Sequence, residues 1–153
     1  MNADVDVMRY YPTLWSREQS DAFAYRVMRL IDEREWGFWA VEERASGRFI
    51  GFLGLHVPSD KLPFSPCVEV GWRLAKSYWG LGYATEAAQS AIAFGFQQLH
   101  LAEVVAFTAI TNLKSRAVME RLGMQFDSEF DHPQVPVESV LRRHALYRLR
   151  SPE

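Results

Sequence analysis

The residues with the clearest chemical use in this 153-residue chain are two glycines spaced by one, Gly80-Leu81-Gly82, standing just before the alanine-rich run Tyr83-Ala84-Thr85-Glu86-Ala87. Glycines at a helix start let consecutive backbone N–H groups point at one spot, and the positive end of the helix dipole adds to them. The stretch therefore predicts a cradle for a phosphate-like anion over Gly80 to Ala84. The plain alternative is a tight turn whose glycines only relieve strain. A nucleotide site ranks below both, because the Lys-Ser/Thr ending of a P-loop and the longer spacing of a dinucleotide fingerprint are missing.

Other reactive side chains have plainer readings. Cys67, in an apolar stretch, reads as core filler. Asp131, His132 and His144 lack the paired spacing of a metal site, so no metal is expected, and His56 and His100 read as structural or exposed. The aromatic residues Trp36, Phe38, Trp39 and Phe52 read as core, while Phe64, in a loop, is placed to line an acceptor pocket.

A cradle needs a frame, and the chain supplies the pieces of one. Ser16 and Gln19 make a capping-box pattern, and Phe23, Val27, Leu30 and Ile31 recur at helical spacing, predicting a helix over 16–34. Runs of strand formers at 38–42 and 49–57, split by the turn signal Ser46-Gly47, predict a hairpin, and strand character resumes over 67–74. Ala84, Ala87, Ala88, Ala91, Ile92 and Phe96 recur at helical spacing to about residue 98, and the nearly continuous apolar run 103–109 suits a sheet centre. A short helix over 113–122, with Asn112 placed to cap its start and Gly123 its end, precedes a closing pair of strands around Phe126 and 145–149. The order helix, three strands, helix, strand, helix, two strands predicts a mixed α/β domain with a mostly antiparallel sheet.

Composition fits a single domain. A chain of this length hides roughly 70% of its unfolded surface, and its 48% apolar and 24% charged residues are ordinary for a globular fold. The net charge of -2 leaves no electrostatic footprint for nucleic acid or a membrane surface. One cysteine, with no signal-like or long apolar run, leads to the expectation of a cytoplasmic protein.

The stretch VEVGWRLAKSYWGLGYATEAA, residues 68–88, resembles the GNAT acetyltransferases, especially the RimJ/RimL-like branch that includes ribosomal-protein-alanine N-acetyltransferases. The family's phosphate-binding pattern, Gln/Arg-x-x-Gly-x-Gly/Ala, falls on Ser77-Tyr78-Trp79-Gly80-Leu81-Gly82; the glycines match and Ser77 does not. A second family pattern, Asn-x-x-Ala/Ser with a tyrosine seven residues after the Asn and a glycine four later, falls on Asn112, Ser115, Met119 and Gly123. Met119 thus replaces the tyrosine that frequently protonates the departing thiolate, and Ser115 becomes the substitute. The resemblance reaches to about residue 149. Family members normally open with an Arg-Leu-x-Leu-Arg strand, whereas Asp4 to Tyr11 looks like the segment after that strand. The domain, taken as 1–153, is therefore expected to be truncated at its N-terminus and to lack the opening strand.

The resemblance implies transfer of an acetyl group from acetyl-CoA to a primary amine, either a protein α-amino group or a small molecule. An amine with a pKa of about 10 is mostly protonated at neutral pH, so the attack needs a base. Glu69 matches a position where the family often places one, its alternative being an ordinary sheet-face salt bridge. The cofactor arm is implied to lie between the Glu69 strand and the 103–109 strand, beside Trp72, Arg73 and Leu74, with Ser77, Gly80, Leu81, Gly82, Tyr83, Ala84, Thr85, Asn112 and Ser115 completing its site. The side chains of Trp72 and Leu74 also suit the core, and that of Arg73 a surface pairing. Loss of the opening strand bares the edge of 38–42, an opening for a homodimer. The other class of function is a CoA-binding regulatory module without catalysis.

Overall fold

In the computed structural model, which describes residues 1–59 and 61–152, the first helix α1 (Arg17–Arg34) begins where the capping box places it. The Ser16 hydroxyl accepts from the Gln19 N–H at 3.2 Å, and the Gln19 side chain accepts from the Ser16 N–H at 2.8 Å, so two orphan donors are met reciprocally. Phe23 points from this helix onto the sheet, with ring centroids 5.0 Å from Phe52 and 6.4 Å from Phe38.

That sheet has six strands in the order β1-β2-β3-β4-β6-β5. The hairpin of β1 (Phe38–Glu43) and β2 (Arg48–His56) turns through Gly47 at φ 65°, and β3 (Glu69–Leu74) adds to it antiparallel. A single 3-10 turn at Lys76–Tyr78, missed in the sequence, carries the chain from β3 into the glycine loop. Helix α2 (Tyr83–Gln97) then crosses the sheet and returns the chain to β4 (Glu103–Ala109), which must run parallel to β3. Its small residues serve close approach, because a Cβ at Gly95 would meet Leu55 at 3.1 Å and Leu101 at 3.2 Å.

Helix α3 (Leu113–Arg121) is started by the Asn112 side chain, which accepts from the Ser115 N–H, and stops before Gly123, at φ 80°. The strands β5 (Gln125–Asp131) and β6 (Arg143–Arg150) close the sheet. The element order thus agrees with the sequence reading. The third strand starts at Glu69 rather than residue 67; Val68 only offers its carbonyl to the Val105 N–H at 2.9 Å.

Two apolar clusters hold the layers. The larger, with Leu53, Leu55, Val70, Ala88, Ile92 and Tyr147, lies between the sheet and α2. The smaller gathers Leu62, Val105, Phe130 and Leu146, with Phe64 and Phe107 packed on it. Strand β1 pairs only with β2 among the described residues, and a bulge at Val41/Glu42 interrupts its ladder, a common way to blunt an edge. Residues 1–15 form turns that bury Val7 and Met8. No helix among the described residues is long and apolar enough to cross a membrane.

Candidate active site

The sheet opens at its centre. Strands β3 and β4 are bridged only at Glu69 and Val105, near the start of each, and β3 bonds to β2 along its other edge. A cavity of about 200 Å³ lies beside this gap, lined by Glu69 to Arg73 of β3, Phe107 and Thr108 of β4, Phe52 and His56 of β2, and Asn112, Ser115 and Met119 at the start of α3. Tyr11, Phe23 and Phe38 supply an aromatic wall.

Glu69 is half-buried on that wall, opposite His56 in the β2–β3 register. Burial pushes its carboxyl up to about 8, with no basic group among the described residues holding the charged form. A carboxyl in this condition is poised to exchange a proton near neutral pH. The salt-bridge alternative for Glu69 is not realised among the described residues.

Across the cavity runs a chain of short polar groups. The Asn112 amide donates to the Thr108 hydroxyl at 2.9 Å and to the Ser115 hydroxyl at 3.1 Å, while its oxygen caps the Ser115 N–H. Because Ser115 accepts this bond, its own proton is free to be donated. Met119, at the family's tyrosine position, is buried on the same wall and offers no proton.

Beyond the end of β3 the loop takes the form that its glycines allow. Gly80 and Gly82 have φ 73° and 84°, and an added Cβ at either meets nothing within 4 Å, so the loop faces open space. The first intrahelical bond of α2 runs from Glu86 N–H to the Gly82 carbonyl at 3.0 Å, leaving the Tyr83, Ala84 and Thr85 N–H groups ahead of the ladder. The Thr85 hydroxyl is buried without a partner. Orphan donors of this kind at a helix start can bind an anion. Leu81 is exposed, the Tyr83 hydroxyl is committed to Glu43 at 2.8 Å, and Ser77 is exposed in the 3-10 turn, so backbone rather than side chains defines this loop.

Several expectations are corrected here. Arg73 makes no surface pairing: it is only 7% exposed, its guanidinium lies over Tyr11, Trp15 and Phe52 at 4.3, 4.6 and 5.2 Å, and it donates to the Asn2 side chain at 3.0 Å. Phe64 packs edge-to-face against Phe107 and Phe130 in the smaller cluster instead of lining the cavity. Trp72 and Leu74 do pack with the core. Thr108 and His56 were missed as site residues; strand alternation places His56 on the Glu69 face, but only the strand register shows that they are neighbours. His132 and His144 lie with ring centroids 4.9 Å apart, tilted to one another, among aromatic rings, and no group of metal-binding side chains is found among the described residues.

A mixed sheet splayed between two parallel strands, with a glycine loop opening the crossover helix, is the architecture of an acyl-CoA-binding fold, and comparison with known proteins agrees. The Acetyltransferase (GNAT) domain family matches residues 1–125. The uncharacterized protein YkkB of Bacillus subtilis is 31% identical over 142 residues, 92% of this chain and 80% of its own length. A GNAT-family acetyltransferase structure from Bacillus anthracis superposes with a TM-score of 0.78 at 25% identity, covering 97% of this chain and 84% of that one. The fold is also shared by Mycobacterium smegmatis RimJ, solved with CoA-disulfide, at TM-score 0.70 and 21% identity over 88% of this chain and 62% of RimJ. The chain belongs to the GNAT acetyltransferase family, with RimJ-like structural neighbours, and is an acetyl-CoA-dependent acetyltransferase.

Proposed function

We propose that the protein acetylates a primary amine, with Glu69 taking the proton that the amine nitrogen gives up and Ser115 giving one to the departing thiolate. The observation that carries this reading is the meeting of a burial-perturbed carboxyl and a hydroxyl with a free proton on one cavity, beside unpaired strand edges. The phosphates of acetyl-CoA rest on the N–H groups from Gly80 to Thr85, and its arm follows the backbone of Trp72, Arg73 and Leu74 between β3 and β4.

In the reaction the neutral amine nitrogen bonds to the thioester carbon, the carbon–sulfur bond breaks, the proton lost by nitrogen goes to Glu69, directly or through water, and the sulfur takes the Ser115 hydroxyl proton, which water replaces on Ser115. Unpaired N–H groups on the splayed edges stabilise the charge that builds on the carbonyl oxygen. Thr108 and Asn112 orient Ser115. The test is release of free thiol from acetyl-CoA with a panel of small amines and N-terminal peptides. A panel without turnover by the wild-type protein, or turnover unchanged in Glu69→Gln at neutral pH, overturns the assignment.

A further inference from the structure

Arg73 is a full charge placed where a core side chain would be cheaper. It is more than nine-tenths buried, three aromatic rings surround its guanidinium, and one neutral amide oxygen, from Asn2, accepts from it. Its Nε is buried without an acceptor, and no carboxylate pairs with it among the described residues. Buried cations are ordinarily paired, and an orphaned guanidinium donor asks for an explanation.

Its position supplies one. Arg73 lines the same cavity as Glu69. Strand alternation puts Glu69, Gly71 and Arg73 on one face, with Glu69 and Arg73 roughly 13 Å apart along the strand. Between them the Phe38 ring covers Gly71, where an added Cβ would meet it at 3.1 Å and the Glu69 carboxylate at 3.5 Å, so Phe38 roofs this part of the cavity. The cavity is thus an aromatic-walled trough with a proton acceptor at one end and an unpaired, fork-shaped cation at the other. A polyamine would bring like charge to the Arg73 end, whereas a carboxylate would find two-point recognition there.

The geometry points to an acceptor that carries a carboxylate as well as its amine, the amine reaching Glu69 and the carboxylate engaging Arg73. This inference rests on the acetyl-transfer reading for its amine and on Arg73 alone for its carboxylate. The cavity, at about 200 Å³ and shared with the thioester, suits a small amino acid with several bonds between its two ends.

The test compares ε-aminohexanoate with its amide and with the diamine of similar length, in wild type, Arg73→Lys and Arg73→Met. Wild type is expected to favour the carboxylate by tenfold or more in kcat/KM. Arg73→Met should bring the ratio to near one, and Arg73→Lys should restore part of it. Equal use of all three acceptors by wild type, or a preference that survives in Arg73→Met, overturns the inference while leaving acetyl transfer intact. A separate arm titrates unreactive hexanoate into the CoA-loaded protein by calorimetry: binding lost in Arg73→Met supports the carboxylate site even if no amine is turned over, and absence of binding to wild type overturns it. If Arg73→Met does not fold, wild type and Arg73→Lys decide the question by the same two readouts.

Discussion

At its C-terminal end β3 leads into a loop whose donors are backbone N–H groups of nearly consecutive residues, whereas Glu69 at its other end faces a cavity assembled from side chains on four strands, two helices and the N-terminal segment. The first region depends on the absence of side chains, since Gly80 and Gly82 hold positive φ under open space. The second depends on which side chains are present. The loop should therefore tolerate exchange of its side chains but not an added Cβ, and the cavity should tolerate changes in packing but not in proton-bearing groups.

The largest expected effect is at the cavity. Glu69→Gln should lower turnover by roughly 10² to 10⁴ at neutral pH, the range for loss of a general base, and leave acetyl-CoA affinity unchanged. With its carboxyl near 8, Glu69 must lose a proton to act, so wild-type kcat/KM should rise with pH to a break near 8. Only the later rise from the acceptor amine should remain in the variant. Weakened binding of acetyl-CoA would merge the two regions that are separated here.

The same carboxyl makes a stability prediction of opposite sign to that of His144. Glu69 titrates at about 8 in the folded protein against 4.5 ordinarily, so between those values the folded state holds a proton that the unfolded chain has released. Stability is then lost as pH rises through this window, and Glu69→Gln should gain on the order of 2 kcal/mol over wild type at pH 9, after allowance for water in the cavity. Burial moves His144 from 6.5 to about 4, so its contribution is present above pH 6.5 and lost as pH falls toward 4. Denaturant melts across pH should show Glu69→Gln removing a fall in stability between pH 4.5 and about 8, and His144→Phe removing a rise between about 4 and pH 6.5; a change of slope with the opposite sign in either variant would contradict the assignment.

A smaller effect is expected at the loop. Gly82→Ala should weaken acetyl-CoA binding about tenfold, or about 1.4 kcal/mol, by calorimetry. The control is Gly47→Ala in the β1–β2 turn, where φ is also positive and an added Cβ also meets nothing. It carries similar backbone strain, so equal loss of affinity in both would trace the effect to strain rather than to the cradle.

These two regions also divide what a sequence discloses. The glycine loop was legible because its donors come from neighbouring residues and glycine at positive φ has a local cause. So were the capping box at Ser16 and the order of elements, since periodicity is local. The Asn112 cap at the start of α3 was legible for the same reason. The Arg73 cage was not, because Tyr11 and Trp15 lie 62 and 58 residues before it and meet it only when residues 1–15 fold over β3, while Phe52 faces it only through the β2–β3 register. Phe64 failed in the other direction: its loop position looked accessible, but Phe107 and Phe130 offered a better burial.

The finest test of the comparison is Ser115→Ala, because it touches the cavity's chemistry without touching its frame. The helix cap survives, since the Asn112 oxygen accepts from the Ser115 backbone N–H, and the Asn112 amide keeps the Thr108 hydroxyl as its other partner. Alanine is also a better helix former than serine, so the melting temperature should not fall. What is removed is the hydroxyl, with the proton it can donate and the bond it accepts from the Asn112 amide. A thiol with a pKa of about 8.5 leaves tolerably well as a thiolate, and water can substitute as donor, so turnover should fall only about threefold to tenfold. The pH profile separates this defect from the loss of the base: the break near 8 set by Glu69 should persist in Ser115→Ala, at reduced height. A vanished break would instead mean that Ser115 is needed to position the base, and unchanged turnover would assign the proton entirely to water.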